Sequence, residues 1–116
     1  MALACLGLGV APANAQRADG TYPLTLACDA GGGSAPVRAS GSATIGDGRG
    51  TYEIRVGAAR ETGSGILSAG KLSLVGKGPG YEGRYAGDVS GRGGFLTGYQ
   101  TGKGFRRPCQ VILGGG

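Results

Sequence analysis

Apolar and polar residues alternate with a period of two along most of this chain, and glycine-rich turns separate the alternating segments. In residues 37–45 every second residue is apolar or glycine, and the residues between them are polar. Residues 51–56 repeat the pattern after the turn at 46–50. Such alternation is typical of a β-strand with one buried and one solvent-exposed face. Because 28 glycines interrupt the sequence, no apolar stripe of helical period survives beyond the first residues, and we predict an all-β protein.

About eight short strands can be recognised in this way. They lie near residues 21–28, 37–45, 51–56, 64–68, 71–77, 81–90, 95–101 and 107–113. Short turns between consecutive strands favour an antiparallel meander, because parallel neighbours need long crossovers. We expect the meander to form a small closed or nearly closed barrel, which removes exposed sheet edges. Inward glycines at 41, 83 and 87 favour the curvature of a barrel over the alternative, a two-sheet β-sandwich.

The first fifteen residues are typical of an export signal. Residues 1–10 are almost entirely apolar or small, and Ala13 and Ala15 supply the small residues that a signal peptidase reads. We therefore predict a signal peptide at 1–15 and a single domain at 16–116, in the periplasm or secreted. No Lys or Arg precedes Arg17, which leaves open a leader that starts upstream of Met1. We expect Cys5 to be removed with the leader, because lipidation there would leave an apolar stretch after the modified cysteine.

After removal of the leader two cysteines remain, Cys28 and Cys109. Exported chains with an even number of cysteines commonly form disulfides, because the compartment is oxidising. Cys28 ends the first predicted strand and Cys109 lies near the start of the last, so the two meet if those strands pair edge to edge. We predict a structural disulfide that closes the barrel. The chain has no histidine and no Cys-x-x-Cys spacing, so we expect no metal site and no cofactor.

The residue types needed for common catalytic mechanisms are scarce in this sequence. Histidine is absent, and no thiol remains once the disulfide has formed. The seven carboxylates are interpreted as isolated surface groups, since Glu82 and Asp88 on one strand face lie about 20 Å apart. Residues 78–83 match Gly-x-Gly-x-x-Gly but no helix follows, so we interpret them as a turn rather than a nucleotide site. The sequence predicts a protein that is not an enzyme.

The charge balance gives the main functional indication. The net charge is +5, and the densest basic patch is residues 103–107, just before Cys109. Lys103, Arg106 and Arg107 are therefore candidate anion-binding residues, because arginine in particular suits carboxylate and phosphate recognition. Phe105 and Tyr99 are candidate partner contacts. The other tyrosines, if exposed, are further candidates, namely Tyr22, Tyr52, Tyr81 and Tyr85.

Two classes of partner are not expected. We expect no nucleic-acid partner in the compartment that the leader implies, whatever the charge. The predicted strands are about seven to nine residues long and polar on one face, whereas membrane-spanning strands need about 9–11 residues with an apolar row toward lipid. We expect a protein that does not span a membrane.

A family resemblance accompanies these features. Asp19-Gly20-Thr21-Tyr22 opens a strand that ends in Cys28, and the chain closes with Arg107-Pro108-Cys109-Gln110-Val111-Ile112-Leu113. With the glycine-spaced hairpins between them, these segments resemble small exported β-barrel proteins of proteobacteria. The resemblance implies a barrel outside the cytoplasm and brings no activity with it. In size, leader and single disulfide the chain is also similar in outline to bacterial periplasmic lysozyme and protease inhibitors, although no inhibitor motif matches.

Three functional hypotheses follow from the sequence. The first is a non-enzymatic exported barrel that binds a protein partner or a small ligand. The second is an envelope-associated structural module that attaches to anionic surfaces through Lys103, Arg106 and Arg107. The third is an inhibitor-like barrel that acts on an envelope enzyme, and an enzyme is the remaining alternative, which the scarcity of catalytic residue types disfavours.

Overall fold

The computed structural model describes residues 18–31 and 35–114 of the chain. The predicted signal peptide, its cleavage site and Cys5 lie outside these residues. Eight antiparallel strands form one closed barrel in which each strand pairs with its neighbours in sequence and the last strand pairs with the first. The strands are β1 (Gly20–Cys28), β2 (Val37–Gly46), β3 (Arg49–Val56), β4 (Ala59–Ser68), β5 (Lys71–Gly78), β6 (Tyr81–Ser90), β7 (Gly93–Gly102) and β8 (Phe105–Leu113). The predicted all-β meander barrel is confirmed, and the sandwich alternative is wrong.

The alternation seen in the sequence sets which side chains face the barrel interior. On β1, Leu24, Leu26 and Cys28 are buried while the residues between them are more exposed. Tight turns reverse the chain between strands, and Asp47 and Gly48 both adopt positive φ there, at 56° and 76°. Two such residues in succession match the right-handed twist of the flanking strands, which is why Asp-Gly is favoured in two-residue hairpins.

The observed strand β4 differs from its predicted bounds. It begins at Ala59, whereas the sequence pattern suggested a start near Ser64. The additional residues pair with the end of β3, in the register Glu53↔Thr62 and Val56↔Ala59. Backbone pairing with β3 therefore extends the strand through residues that lack the alternating apolar pattern of the other strands.

The disulfide lies at the seam between the first and last strands. Cys28 and Cys109 are directly opposite each other where β1 pairs with β8. Their sulfurs are bonded at 2.04 Å, and their Cα atoms are 3.9 Å apart across a sequence separation of 81 residues. The predicted disulfide between the first and last strands is confirmed.

The two ends of the barrel can be named by this bond. The disulfide end holds Cys28, Cys109 and the turns at 57–58, 79–80 and 103–104. The opposite end holds the turns at 47–48, 69–70 and 91–92. Toward the opposite end the interior is apolar and forms what we call the apolar half. Its buried side chains include Leu24, Ile45, Leu72, Leu74, Val89, Leu96, Val111 and Leu113.

Candidate functional site

A buried carboxylate lies at the centre of the interior toward the disulfide end. Glu61 on β4 is 0% exposed. Its Oε2 accepts hydrogen bonds from the hydroxyls of Tyr52, at 2.5 Å, and Tyr85, at 2.9 Å. Its Oε1 accepts from the Tyr81 hydroxyl at 2.8 Å and from Gln100 Nε2 at 2.9 Å. An ionised carboxylate is an acceptor only, and here each of its oxygens has two donors. This arrangement compensates for burying the charge.

Gln100 connects this carboxylate to a buried cation. Gln100 is 0% exposed, and its Nε2 also contacts the Tyr85 hydroxyl at 3.1 Å. Its Oε1 accepts a hydrogen bond from Arg107 Nε at 2.7 Å. Because the amide nitrogen faces a carboxylate and the amide oxygen faces a guanidinium, only one orientation of the side chain satisfies both partners. Gln100 therefore bridges the opposite charges of Glu61 and Arg107 through its two amide atoms.

Arg107 lies just inside the mouth of the barrel, near two aromatic rings. Its Cζ is 4.8 Å from the centroid of the Phe105 ring and 5.6 Å from that of Tyr81. Phe105 and Tyr81 are the first residues of their strands, next to turns of the disulfide end. We call the six residues Tyr52, Glu61, Tyr81, Tyr85, Gln100 and Arg107 the polar cluster.

Glycines on neighbouring strands make room for the polar cluster. A Cβ atom added at Gly76 would collide with the Tyr52 side chain, and one added at Gly83 would collide with Glu61 and the Tyr85 hydroxyl. The interior of an eight-stranded barrel is just wide enough for side chains to fill. Large residues on some strands therefore require residues without side chains on others, and this alternation explains part of the glycine content.

The phenol groups of the polar cluster are held in their protonated form. Burial raises the pKa of Tyr52 far above its ordinary value, and the hydrogen bond to Glu61 and its negative charge raise it further. Burial and Glu61 likewise raise the pKa of Tyr81, against a smaller opposing effect of the Arg107 charge. The pKa of Tyr85 is raised for the same reasons as that of Tyr52, with a smaller opposing effect of the Gln100 hydrogen bond. All three phenols therefore remain hydrogen-bond donors near neutral pH.

The expectation that all carboxylates lie on the surface is wrong for Glu61. Solvent does not reach Glu61 or Gln100. A molecule outside the barrel therefore cannot contact either of them unless the barrel opens. Among the described residues, no group of three or more His, Cys, Asp or Glu side chains is placed to hold a metal ion. The inner part of the polar cluster orients side chains, and Tyr81 and Arg107 are its members toward the mouth.

The three predicted anion-binding residues share one end of the barrel but do not share one face. Lys103 is exposed in the turn between β7 and β8. Arg106 points outward, and its Cζ lies 3.9 Å from the centroid of the Tyr99 ring. Arg107 points inward and is only 8% exposed. The single basic surface expected from residues 103–107 is thus divided by the alternation of β8, and anion binding by these residues stays a prediction.

The candidate contact residues also separate. Tyr99 is 44% exposed on the outer face, whereas Phe105 is half-buried at the mouth. Tyr22, Tyr52 and Tyr85 are buried, so they do not meet the condition of exposure under which they were candidate contacts. Tyr81 is half-buried with its hydroxyl directed to Glu61. The sequence-based reading did not identify Glu61 and Gln100, although both lie at inward positions of the alternating pattern.

Basic residues are concentrated at the disulfide end. Eight of the eleven basic residues in the described ranges lie in the strand halves and turns of this end, together with four of the seven carboxylates. The eight are Arg38, Arg55, Arg60, Lys77, Arg84, Lys103, Arg106 and Arg107. The opposite end has three basic and three acidic residues and is neutral overall. The excess positive charge of the described chain is therefore located at the end that contains the polar cluster.

Over residues 18–31 and 35–114 there is no helix long and apolar enough to cross a membrane. No family model matches the chain, and no curated protein and no solved structure matches it either.

Proposed function

We propose that this protein is an exported, non-enzymatic β-barrel that binds an anionic partner at its disulfide end. A disulfide between Cys28 and Cys109 is compatible with an oxidising compartment outside the cytoplasm, in the periplasm or beyond the cell. The partner would be an envelope component or ligand that carries negative charge. This proposal combines the expected binding function with the expected attachment to anionic surfaces.

The observation that supports the proposal most is the difference in charge between the two ends. A cluster of like charges on one surface raises the local concentration of oppositely charged partners and steers their approach. Some basic residues at the disulfide end have acidic partners, such as Arg60, whose Nε lies 2.6 Å from Glu53 Oε2. Lys77, Lys103 and Arg106 form no ion pair with any described residue and are exposed. These three cations are available to an anionic partner.

The test measures binding of the mature protein to immobilised polygalacturonate, with neutral dextran as the reference surface. We expect binding that weakens as salt increases, because exposed charges are screened. The double variant K103E/R106E should reduce the affinity by about 10-fold or more, since each cation near an anionic surface contributes about 1 kcal/mol.

The matched control is R49E/R92E, which changes the net charge equally at the opposite end, where both residues are exposed. We expect this variant to retain most of the affinity. Equal losses in the two variants would show that binding follows net charge alone. That result, or the absence of binding to polygalacturonate, contradicts the proposal.

A further inference from the structure

Arg107 has hydrogen-bonding groups that the described residues leave without acceptors. A guanidinium has five N–H donors, one on Nε and two on each Nη. The Nε donates to Gln100 Oε1, and no hydrogen bond from either Nη to a described residue is present. The residue is nonetheless 8% exposed, so more than nine-tenths of it is buried. Buried donors in folded proteins are almost always paired, with protein, water or a ligand.

The charge of Arg107 is also not paired directly. None of the ion pairs among the described residues involves it. Glu61, the carboxylate of the polar cluster, already accepts two hydrogen bonds on each oxygen and is separated from the guanidinium by the Gln100 amide. A buried cation that has no direct counter-ion, at a mouth surrounded by further positive charge, attracts an anion.

We propose that the two Nη groups of Arg107 form a binding site for a single carboxylate group at the mouth of the disulfide end. This inference rests on the proposed function, since it names the chemical group that the partner presents. A planar guanidinium donates two parallel hydrogen bonds to a carboxylate, which makes this pairing strong and directional.

The charge of the polar cluster selects a ligand with one negative charge. Glu61 and Arg107 together are neutral, so a bound carboxylate leaves a net charge of about −1, whereas a phosphate monoester near pH 7 leaves nearly −2. Two like charges within one buried cluster repel each other strongly. A monoanion is therefore favoured over a dianion.

The surroundings of Arg107 restrict the site to a small group. The rings of Phe105 and Tyr81 flank the guanidinium, and the Tyr81 ring is held in place by its hydrogen bond to Glu61. Each ring occupies the space over a glycine, since a Cβ at Gly78 would collide with Tyr81 and one at Gly102 with Phe105. Aromatic walls lower the local dielectric constant and strengthen the hydrogen bonds of a bound anion. A chain end or side group that carries a carboxylate fits this description better than a bulky headgroup.

The test titrates the mature protein with acetate and follows the side-chain nitrogen signals of its arginines by NMR. Sodium chloride at equal ionic strength serves as the reference titration. We expect a saturable shift of the Arg107 signals that chloride does not produce. The variant R107Q should weaken acetate binding by about 10-fold or more, because charge-assisted hydrogen bonds are lost. R107K, which keeps the charge but lacks the planar fork, should fall between R107Q and the unmodified protein.

Arg92 supplies the matched control, since it is an exposed arginine in a turn of the opposite end. R92Q should leave the acetate titration unchanged. A titration of the unmodified protein in which the Arg107 signals do not saturate would overturn the inference without any variant, because the Nη groups would then be hydrated only. Tighter binding of dimethyl phosphate than of acetate would overturn the assignment to a carboxylate.

The proposed function and the carboxylate site at Arg107 can be tested independently of each other. If K103E/R106E loses polygalacturonate binding but retains the acetate response, the site at Arg107 is supported independently of the outer surface. If the acetate response is absent while polygalacturonate binding still depends on Lys103 and Arg106, the further inference is wrong and the proposed function remains.

Discussion

The two halves of the barrel interior are filled in different ways. In the apolar half, residues such as Leu72, Leu74 and Val111 pack through contacts that have no preferred direction. In the polar cluster, each residue has at least one defined hydrogen-bond partner, and Glu61 alone accepts four hydrogen bonds. Apolar packing tolerates substitutions that conserve volume, whereas a hydrogen-bonded network requires the correct donor or acceptor at every position. We therefore expect substitutions of similar size to lower the free energy of unfolding by different amounts in the two halves.

The largest expected effect is removal of the carboxylate at the centre of the polar cluster. Glu61→Leu leaves three tyrosine hydroxyls without their acceptor and removes one of the two acceptors of the Gln100 amide. Each buried donor left unpaired costs about 1–3 kcal/mol, so we expect the free energy of unfolding to fall by about 5 kcal/mol. Denaturation with urea, followed by circular dichroism, measures this change.

The matched control for this substitution is Glu53→Gln on the outer face. Glu53 forms an exposed ion pair with Arg60, and such pairs contribute less than about 1 kcal/mol. Similar losses for the two variants would mean that the buried network contributes no more than a surface pair. The distinction between the halves would then be wrong.

The second prediction concerns the bond that closes the barrel beside the polar cluster. In C28S/C109S we expect the free energy of unfolding to fall by about 4 kcal/mol, the value for a loop of this length if the bond acts by restricting the unfolded chain. The apolar half would still bury its side chains, because β1 pairs with β8 through Leu24↔Leu113 at the other end of the seam. Urea denaturation with and without dithiothreitol measures the effect. A loss below about 1 kcal/mol would show that strand pairing alone holds the seam.

Conservative substitutions in each half give the sharpest form of the comparison. Leu74→Ala should lower the free energy of unfolding by about 3 kcal/mol because it leaves a cavity, whereas Leu74→Met should lower it by less than about 1.5 kcal/mol. Glu61→Gln also conserves volume, but it replaces one acceptor oxygen by a donor that faces other donors, and we expect a loss of about 2 kcal/mol. If Leu74→Met lowers the free energy of unfolding more than Glu61→Gln does, then the apolar half tolerates conservative substitutions less well than the polar cluster does.

The alternating pattern allowed most of the barrel to be predicted from the sequence. Strands such as β1 and β6 carry apolar or glycine residues at each inward position, and their order and short turns gave the meander. The pairing of Cys28 with Cys109 followed from their places on the first and last strands. Local patterns were sufficient here because each strand pairs with its neighbours in sequence.

The polar cluster could not be predicted in the same way. Glu61 lies at an inward position of β4, but a carboxylate gives the signal of an exposed residue unless its partners are known. Those partners come from three other strands, β3, β6 and β7, and only closure of the barrel brings them together. The alternation of β8 directs Arg107 inward, away from the basic patch to which its sequence position had assigned it. Inward polar residues on strands rich in glycine, such as Glu61 and Gln100, are the signal that would have indicated a buried network.

The smallest expected effect is the response of the polar cluster to alkaline pH. The pKa values of Tyr52 and Tyr85 are raised in the folded protein, mainly by burial and by Glu61, whereas in the unfolded chain a tyrosine ionises near pH 10. Above that pH the unfolded state loses protons that the folded state retains, so the stability conferred by these groups is complete below pH 10 and decreases as pH rises. At pH 10 the loss is roughly 1 kcal/mol for the two residues together. Urea denaturation at pH 8 and pH 10, with tyrosinate absorbance at 295 nm as a second signal, measures it. Y52F/Y85F should reduce this pH dependence, whereas an unchanged dependence in that variant would place the titrating groups outside the polar cluster.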